Sequence, residues 1–270
     1  MIPFTKAHAY GNDFLYVLDA DVSAPLDELS RRLCDRHAGI GADGLITYTR
    51  TAAGATMRLF NADGSRAEVS GNGVRGLAAI LLRDDERAGA TVTIESEGGT
   101  KQLTRTEHGG ARQTFRAAMG TPEQLREVPL DLGGETVQAI VMTFGNPQCV
   151  VLGALPDQRR FHALGPAIER HAYFPERTNV EFAAVEQPDR VRILIWERGV
   201  GPTQSSGTGS CASLIAAAAF GGASRDATVV APGGPQRVEW RDDNVYLTGW
   251  AEILFDGHWL PGVGIAETSY

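Results

Sequence analysis

The sequence predicts a mixed α and β fold, of class α/β or α+β, made of two pseudo-symmetric lobes. Each lobe is expected to be a twisted, mostly antiparallel sheet around a central helix. Two observations lead to this expectation. Strand-like and helix-like stretches alternate along the whole chain. In addition, a glycine-rich segment between a strand and an apolar helix occurs twice, about half a chain apart.

The repeated segment occupies residues 61–76 and 197–211. Its first copy follows a strand-like run at 56–60 and precedes a helical pattern at 74–83, and its second lies between 191–196 and 212–220. Ser70 and Ser206 are 136 residues apart, as are Asn61 and Glu197. A further match is shorter, with Gly-Asn-Asp at 11–13 and Gly-Asn-Pro at 145–147. We therefore expect one structural unit used twice.

The first lobe is predicted to span residues 1–118, with 262–270 as a candidate addition. Two strands at its start precede a helix that begins at Pro25, whose apolar residues fall at helical spacing. Further strands and the central helix follow. The predicted ranges are strands 2–8, 14–18, 45–49, 56–60, 91–95, 101–106 and 113–116, and the helix 74–83.

The second lobe is predicted to span residues 119–261 and to repeat the plan. Residues 122–127 are interpreted as a short helix or linker just after the boundary, and 242–244 as a hairpin turn. The other predicted ranges are strands 137–144, 149–152, 179–185, 191–196, 229–231, 237–240 and 245–247, and helices 161–171 and 212–220. The functional site is expected in the cleft between the lobes.

Composition excludes several classes of function. The net charge of −8, with no run of basic residues, argues against a nucleic-acid partner. No apolar run approaches the ~20 residues needed to span a bilayer, and the N-terminus lacks a signal-like pattern. Three widely spaced cysteines form no disulfide framework, and the six histidines show no metal-ligand spacing. We expect a cytoplasmic protein that has no membrane or nucleic-acid partner and needs no metal.

Ser70 and Ser206 each precede a Gly-x-Gly turn at the start of an apolar helix. Serine is a favoured helix N-cap, so two structural caps would explain either residue alone. Their symmetric placement favours a paired role, because two helix N-termini that face each other would hold a small anion and present one hydroxyl on each side.

The second group of candidates can bind the two ends of an amino acid. Arg198 could hold a carboxylate through two hydrogen bonds and Glu197 an ammonium, although such a pair is often a solvated surface ion pair. Asparagines beside the glycine turns could donate to or accept from the same ligand, although asparagine is also common in turns. These asparagines are Asn12, Asn61, Asn72, Asn146 and Asn179.

These motifs resemble the diaminopimelate epimerase family, the cofactor-independent isomerases of bacterial lysine and cell-wall precursor synthesis. The similarity runs nearly end to end, through residues 11–14, 39–43, 61–73, 145–147, 179 and 197–209. It implies two α/β lobes, a site between them, an amino-acid substrate, no cofactor and a homodimer. It further implies interconversion of LL- and meso-2,6-diaminopimelate by two-base transfer of the α-proton.

The resemblance also implies roles for individual residues. In the family, one cysteine at each Gly-x-Gly turn acts on opposite faces of the α-carbon, and helix N-termini hold the carboxylate. By that match Ser70 and Ser206 take the acid/base positions, with Gly71, Asn72, Gly207 and Thr208 around the reacting end. The distal end would be held by Asn12, Asn61, Asn179, Glu197 and Arg198, and Asn146 is a further substrate-binding candidate.

The sequence departs from the family at the reacting groups. Both cysteine positions are serine, Gln148 stands where a histidine usually assists proton transfer, and Gly44 stands where glutamine is common. A serine needs an adjacent base, for which Glu197 is the nominated carboxylate. Two alternatives therefore remain: a related racemase or dehydratase on the same scaffold, and an impaired homologue that binds an amino acid without turning it over. The three cysteines, Cys34, Cys149 and Cys211, are expected to be packed apolar residues.

Overall fold

In a computed structural model, the 270-residue chain is described at residues 1–67 and 70–260. The candidate addition 262–270 to the first lobe lies outside the described residues. No helix in those two described ranges is long and apolar enough to cross a membrane. The helices are α1 (Leu26–Cys34), α2 (Gly71–Leu81), α3 (Gln158–Glu169) and α4 (Gly207–Phe220), besides a short 3-10 turn at Asp19–Asp21.

The chain forms two compact units. Unit 1 comprises Met1–Leu103, Glu107–Gln113 and the described residues from Ala251 on, and unit 2 comprises Thr104–Thr106 and Thr114–Trp250. The predicted lobe boundary at 118/119 does not coincide with these divisions, and the assignment of domains stays a prediction.

Unit 1 is a mixed sheet with a helix on each face. Its strands are β1 (Ile2–Ala9), β2 (Asn12–Leu18), β3 (Gly44–Thr51), β4 (Gly54–Asn61), β5 (Arg66–Ala67) and β6 (Thr91–Ser96). The pairs β2–β3 and β4–β6 are parallel, and α1 and α2 respectively connect their strands. Alternate residues of β2 explain the two layers: Leu15 and Val17 pack with α1, whereas the Tyr16 hydroxyl donates to the Gly73 carbonyl at the start of α2 (2.9 Å).

Unit 2 repeats this arrangement. It contains β9 (Glu123–Asp131), β10 (Thr136–Phe144), β11 (Asn146–Leu152), β12 (Asn179–Gln187), β13 (Arg190–Glu197), β14 (Gly201–Thr203), β15 (Asp226–Ala231) and β16 (Gly234–Trp240). The parallel pairs are β11–β12, joined through α3, and β13–β15, joined through α4. Buried Cys149 and Phe182 pack with α3, and Val150 and Ile195 pack with α4. Three strands contribute residues to both units, namely β7 (Gly99–Gly109), β8 (Arg112–Gly120) and β17 (Val245–Trp259).

Two element predictions need correction. The segment predicted as a short helix or linker at 122–127 is part of strand β9, which pairs antiparallel with β10. The last strand, predicted to end at Leu247, continues to Trp259 because its second half pairs with β1. In both cases the deciding interaction is pairing with a strand elsewhere in the chain, which local propensity does not reveal.

Candidate functional site

Ser70 caps helix α2 in unit 1, as the sequence predicts. Its backbone is extended (φ −126°, ψ 122°) and its Oγ accepts a hydrogen bond from the Gly73 backbone N–H (3.2 Å). Gly71 is exposed, and a Cβ built there would find no atom within 4 Å. The space in front of this helix N-terminus is therefore open, which suits an anion.

Polar side chains beside this N-terminus form a connected chain. The buried Asn72 donates from Nδ2 to Asn12 Oδ1 (3.3 Å), and its own Oδ1 accepts from Arg75 Nη2 (2.5 Å). Asn12 in turn donates to Asp43 Oδ2 (2.8 Å). Two predicted site residues, Asn12 and Asn72, are thus brought together. Asn61 lies at the exposed end of β4, where its Nδ2 donates to Ser65 Oγ (2.9 Å).

An ion-pair cluster holds the turn that carries Asp43. Arg36 Nη2 contacts Asp13 Oδ1 (2.7 Å) and Asp43 Oδ1 (2.8 Å), and Lys6 Nζ contacts Asp13 Oδ2 (3.0 Å). Burial alone would raise the pKa of Asp13, but its hydrogen bonds to Arg36 and Lys6 outweigh burial and leave that pKa lowered. The Asp13 carboxyl therefore stays charged at neutral pH, and the cluster fixes the partner of Asn12.

Ser206 caps helix α4 in unit 2 with nearly the same geometry. Its backbone angles are φ −135° and ψ 128°, and its Oγ accepts from the Gly209 backbone N–H (3.1 Å). The side chain of half-buried Glu197 lies near the Ser206 hydroxyl. Burial raises the pKa of Glu197, and the nearby hydroxyl offsets part of the rise. A carboxyl group therefore lies beside one of the two serines, and its catalytic role stays a prediction.

The other predicted residues of unit 2 surround this pair. The Arg198 backbone N–H donates to Asn179 Oδ1 (2.9 Å), and Asn179 Nδ2 donates to the Pro147 carbonyl (3.2 Å). Arg198 itself is exposed, and its Nη1 donates to the Glu176 carbonyl (3.3 Å). Asn179 thus fixes the turn that carries Arg198.

Two further predicted residues lie in the first turn of α4. Thr208 Oγ1 is 3.5 Å from Ser206 Oγ. A Cβ built at Gly207 would lie 3.2 Å from the Leu247 side chain, so this first helical residue is more crowded than its counterpart Gly71.

The sequence prediction omits one carboxyl near this site, that of Glu181. Glu197 is nominated there as the sole nearby carboxylate, but the fully buried Glu181 on β12 also lies at this end of the sheet. Its pKa is raised well above the ordinary value, first by burial and then by the charge of Glu197. The strand alternation contains the signal, because Asn179 and Glu181 are two residues apart and so share a face.

Gln148 is buried beside Asn146 and Glu181. Its Nε2 donates to Asn146 Oδ1 (2.5 Å), so this pair of predicted residues is in direct contact. Gln148 and Pro147 also line a cavity of about 320 Å³ in unit 2, together with Tyr173 and Phe174. The other predicted site residues do not line this cavity.

The three cysteines are buried, as predicted, and none of them is in a disulfide. Burial raises the pKa of the Cys34 thiol to about 11, and it also raises the pKa of Cys149. Cys211 packs in the core beside α4 and Cys149 in the core beside α3. Neither Cys34 nor Cys149 is therefore a thiolate at neutral pH. Within residues 1–67 and 70–260, no group of three or more His, Cys, Asp or Glu is placed to hold a metal ion.

Comparison with known proteins gives a match over most of the chain. The family model described as diaminopimelate epimerase matches residues 4–125 and 140–254. The diaminopimelate epimerase of Desulforudis audaxviator is 42% identical over 277 residues, which cover 95% of this chain and 99% of that protein. The diaminopimelate epimerase of Nostoc punctiforme is 38% identical over 279 residues, with coverage of 95% and 99%.

Solved structures share the fold at low sequence identity. A probable proline racemase from Agrobacterium radiobacter K84 aligns with a TM-score of 0.73 and 16% identity, covering 96% of this chain and 93% of that one. A hydroxyproline epimerase from Agrobacterium vitis, with bound trans-4-hydroxy-L-proline, aligns with a TM-score of 0.67 and 15% identity, covering 95% and 91%. These likenesses confirm the predicted fold class.

Proposed function

Because the chain belongs to the diaminopimelate epimerase family, we propose that it interconverts LL- and meso-2,6-diaminopimelate without a cofactor. The reaction would serve lysine and peptidoglycan precursor biosynthesis. The observation that supports it most directly is the proximity of the Glu197 carboxyl to the Ser206 hydroxyl at the N-terminus of α4. A serine hydroxyl can accept an α-proton only if its own proton has somewhere to go, and Glu197 offers that acceptor.

We assign the proton transfers as follows. In one direction the α-C–H bond breaks, its proton moves to Ser206 Oγ, and the Ser206 hydroxyl proton moves to a Glu197 oxygen. The electron pair stays on the substrate α-carbon. The Ser70 hydroxyl returns a proton to the opposite face, which inverts the centre, and water then reprotonates Ser70 and deprotonates Glu197. The reverse direction retraces these steps: water takes the Ser70 hydroxyl proton and protonates Glu197, Ser70 Oγ then removes the α-proton, and Ser206 returns a proton to the opposite face that Glu197 replaces.

The reacting carboxylate would be held by the two helix N-termini. Their first turns carry the predicted residues Gly71, Asn72, Gly207 and Thr208, and the positive end of a helix favours an anion. The open space at Gly71 supports this assignment in unit 1.

The distal amino-acid end would be held by the remaining predicted residues. We propose that Arg198 binds its carboxylate, because the guanidinium is exposed on a turn that Asn179 fixes. Asn12, Asn61 and Asn146 would supply hydrogen bonds to the same substrate. Since Glu197 is engaged with Ser206, we assign it to proton transfer ahead of ammonium binding.

The chain is further proposed to act in the cytoplasm and as a homodimer. The support for the dimer is the family resemblance, and the expected species has about twice the chain mass of 28.9 kDa. Sedimentation equilibrium measures this mass directly, and a monomer at micromolar concentration would contradict it.

The specificity of this site can be tested by calorimetry with diaminopimelate, lysine and alanine. We expect diaminopimelate to bind most tightly, because it alone presents a second carboxylate with a second ammonium. Arg198→Ala should weaken diaminopimelate binding by about 10- to 150-fold, the range for a charge-assisted hydrogen bond of ~1.5–3 kcal/mol. Arg192→Ala, on the strand β13 that precedes this turn and paired with Glu186, is the matched control and should leave affinity unchanged. Equal affinity for alanine and diaminopimelate would overturn the two-headed assignment.

A further inference from the structure

Three polar side chains share one end of the sheet face that packs against α4. The register pairs Val150 of β11 with Glu181 of β12, and Glu181 with Ile195 of β13. Gln148 precedes Val150 by two residues and Glu197 follows Ile195 by two, so alternation places both on the face of Glu181. The buried apolar residues of this face pack in the core with α4. Gln148, Glu181 and Glu197 are therefore neighbours, and this is the end where Ser206 caps the helix.

Glu181 lies directly behind the cap. It is fully buried, and its Oε1 lies 2.6 Å from the position that a Cβ at residue 209 would take. Gly209 therefore lets the carboxyl reach the first turn of α4. The Gly209 backbone N–H itself donates to Ser206 Oγ (3.1 Å).

The corresponding part of unit 1 has the same backbone arrangement, but apolar side chains occupy the positions of Gln148 and Glu181. A Cβ at Gly73 would lie 2.7 Å from Ile46 Cδ1, as one at Gly209 would lie 2.6 Å from Glu181 Oε1. In the sheet, Phe14 pairs with Gly44 as Gln148 pairs with Asn179. An apolar side chain behind the capping serine is thus sufficient for this backbone arrangement. Packing therefore does not explain why a carboxyl is present at Glu181, because burying it costs free energy.

The Gln148 amide contacts both Asn146 and Glu181. It lies 2.5 Å from Asn146 Oδ1 and 3.1 and 3.2 Å from the two carboxyl oxygens of Glu181. It can accept a hydrogen bond from a protonated Glu181 or, turned over, donate to an ionised one. The orientation of this amide therefore follows the protonation state of Glu181.

Glu181 and Glu197 form a pair that does not readily lose both protons. On its own face of the sheet Glu181 has the titratable Glu197 of β13, and α4 presents Ser206 and its N-terminal N–H groups. The Cys149 thiol of β11 lies on the opposite face, where burial raises its pKa and the charge of Glu181 is near enough to raise it further. Burial raises the pKa of both glutamates. Because Glu181 is the more deeply buried, the single proton of the pair stays on Glu181 and the charge stays on Glu197.

We propose that Glu181 is a positioning residue of the proton-transfer step, which holds a proton behind Ser206 and leaves Glu197 ionised to accept the Ser206 hydroxyl proton. This inference rests on the proposed epimerase function. The Gln148 amide responds to the Glu181 proton and contacts Asn146, which is a substrate-binding candidate. Loss of that proton would add a second negative charge behind Ser206, where negative charge develops during the reaction, and would turn the Gln148 amide.

The first test is the pH dependence of kcat for diaminopimelate epimerisation in the full chain and in Glu181→Gln. Glutamine has the shape of the neutral acid but cannot ionise. The unaltered protein should lose rate at low pH, when both glutamates are protonated, and at high pH, when both are ionised, by about tenfold per pH unit on each limb. Glu181→Gln should keep the acidic limb and lose the alkaline one.

Glu169→Gln is the matched control for this experiment. Glu169 is also a buried glutamate of unit 2, but it accepts hydrogen bonds from Trp196 Nε1 (2.9 Å) and the Gly199 N–H (2.9 Å) and has a lowered pKa. The alkaline limb should survive in this variant. An alkaline limb that persists unchanged in Glu181→Gln would overturn the proposal.

A second readout needs no turnover. In protein labelled with ¹³C at the glutamate carboxyl carbons, the resonance that disappears in Glu181→Gln should titrate well above the ordinary value of ~4.3. If that resonance titrates at the ordinary value, the proposal is wrong even if epimerisation occurs. If the resonance titrates high but no substrate is epimerised, the proposed function fails, and with it the role of Glu181 in catalysis.

Discussion

Ser70 and Ser206 cap their helices with nearly the same backbone angles, but different groups lie behind them. Ser206 has Glu197 beside it and Glu181 behind it, whereas the position equivalent to Glu181 in unit 1 is Ile46. A hydroxyl is a much weaker acid than a thiol, whose free pKa is ~8.5. At the scale of single residues, the proposed proton transfer therefore depends on Glu197 compensating for the weak acidity of Ser206.

Restoring thiols tests how far that compensation goes. The variant Ser70→Cys with Ser206→Cys should epimerise faster, because a thiol at a helix N-terminus ionises far more readily than a hydroxyl. We expect a gain in the range of ~10²–10⁴-fold, typical for a general acid–base group. The measurement is the rate of conversion of LL- to meso-diaminopimelate.

Ser205→Cys is the control for thiol chemistry in general. Ser205 is the buried neighbour of Ser206, and its hydroxyl accepts from Gln236 Nε2 (3.2 Å). This variant should show no gain. If the double cysteine variant also shows none, the site is built for chemistry other than two-base epimerisation.

At the scale of secondary structure, some glycines lie in close packing that admits no larger residue. Gly44 of β3 is the clearest case, since the family commonly has glutamine there. A Cβ at Gly44 would lie 2.7 Å from the Phe60 carbonyl oxygen and 3.2 Å from the Phe14 ring. The neighbouring strands therefore leave no room for a side chain at position 44, which agrees with the presence of glycine there in this sequence.

Gly44→Ala should consequently destabilise the protein, by the ~1–3 kcal/mol typical of overpacking in a filled core. Gly71→Ala is the matched control, because a Cβ there would meet no atom within 4 Å, and it should change stability by no more than ~0.5 kcal/mol. Urea denaturation of both variants gives the free energies of unfolding. Equal stability of the two variants would contradict the packing argument at Gly44.

Sequence reasoning identifies most elements but places their ends imprecisely. The helices predicted at 74–83 and 212–220 begin at Gly71 and Gly207, directly after the capping serines. The glycines look like turn residues locally, but the N–H groups of the first helical turn need no intrahelical acceptor, so glycine is tolerated there. Strand β9 was missed because Pro122 and the acidic residues after it are typical of a helix start. Its pairing with β10 decides its structure.

At the scale of the whole chain, the internal repeat is the feature that the sequence reveals best. Both units connect parallel strands through helices in the same order, and both caps occur where the 136-residue offset places them. The repeat does not reveal how the two halves differ behind the capping serines. Glu181 occupies the position of Ile46, and only the strand register and the contact at Gly209 show that its carboxyl lies behind Ser206.

The central claim is that Ser70 and Ser206 move a proton on and off one α-carbon of diaminopimelate. The most direct test incubates the protein with LL-diaminopimelate in D₂O and separates the stereoisomers for analysis by mass spectrometry and NMR. We predict that meso-diaminopimelate forms with deuterium at the inverted α-carbon, and that Ser70→Ala and Ser206→Ala each abolish its formation. Binding of diaminopimelate without deuterium incorporation, or formation of the meso isomer at an unchanged rate in both alanine variants, would contradict the account.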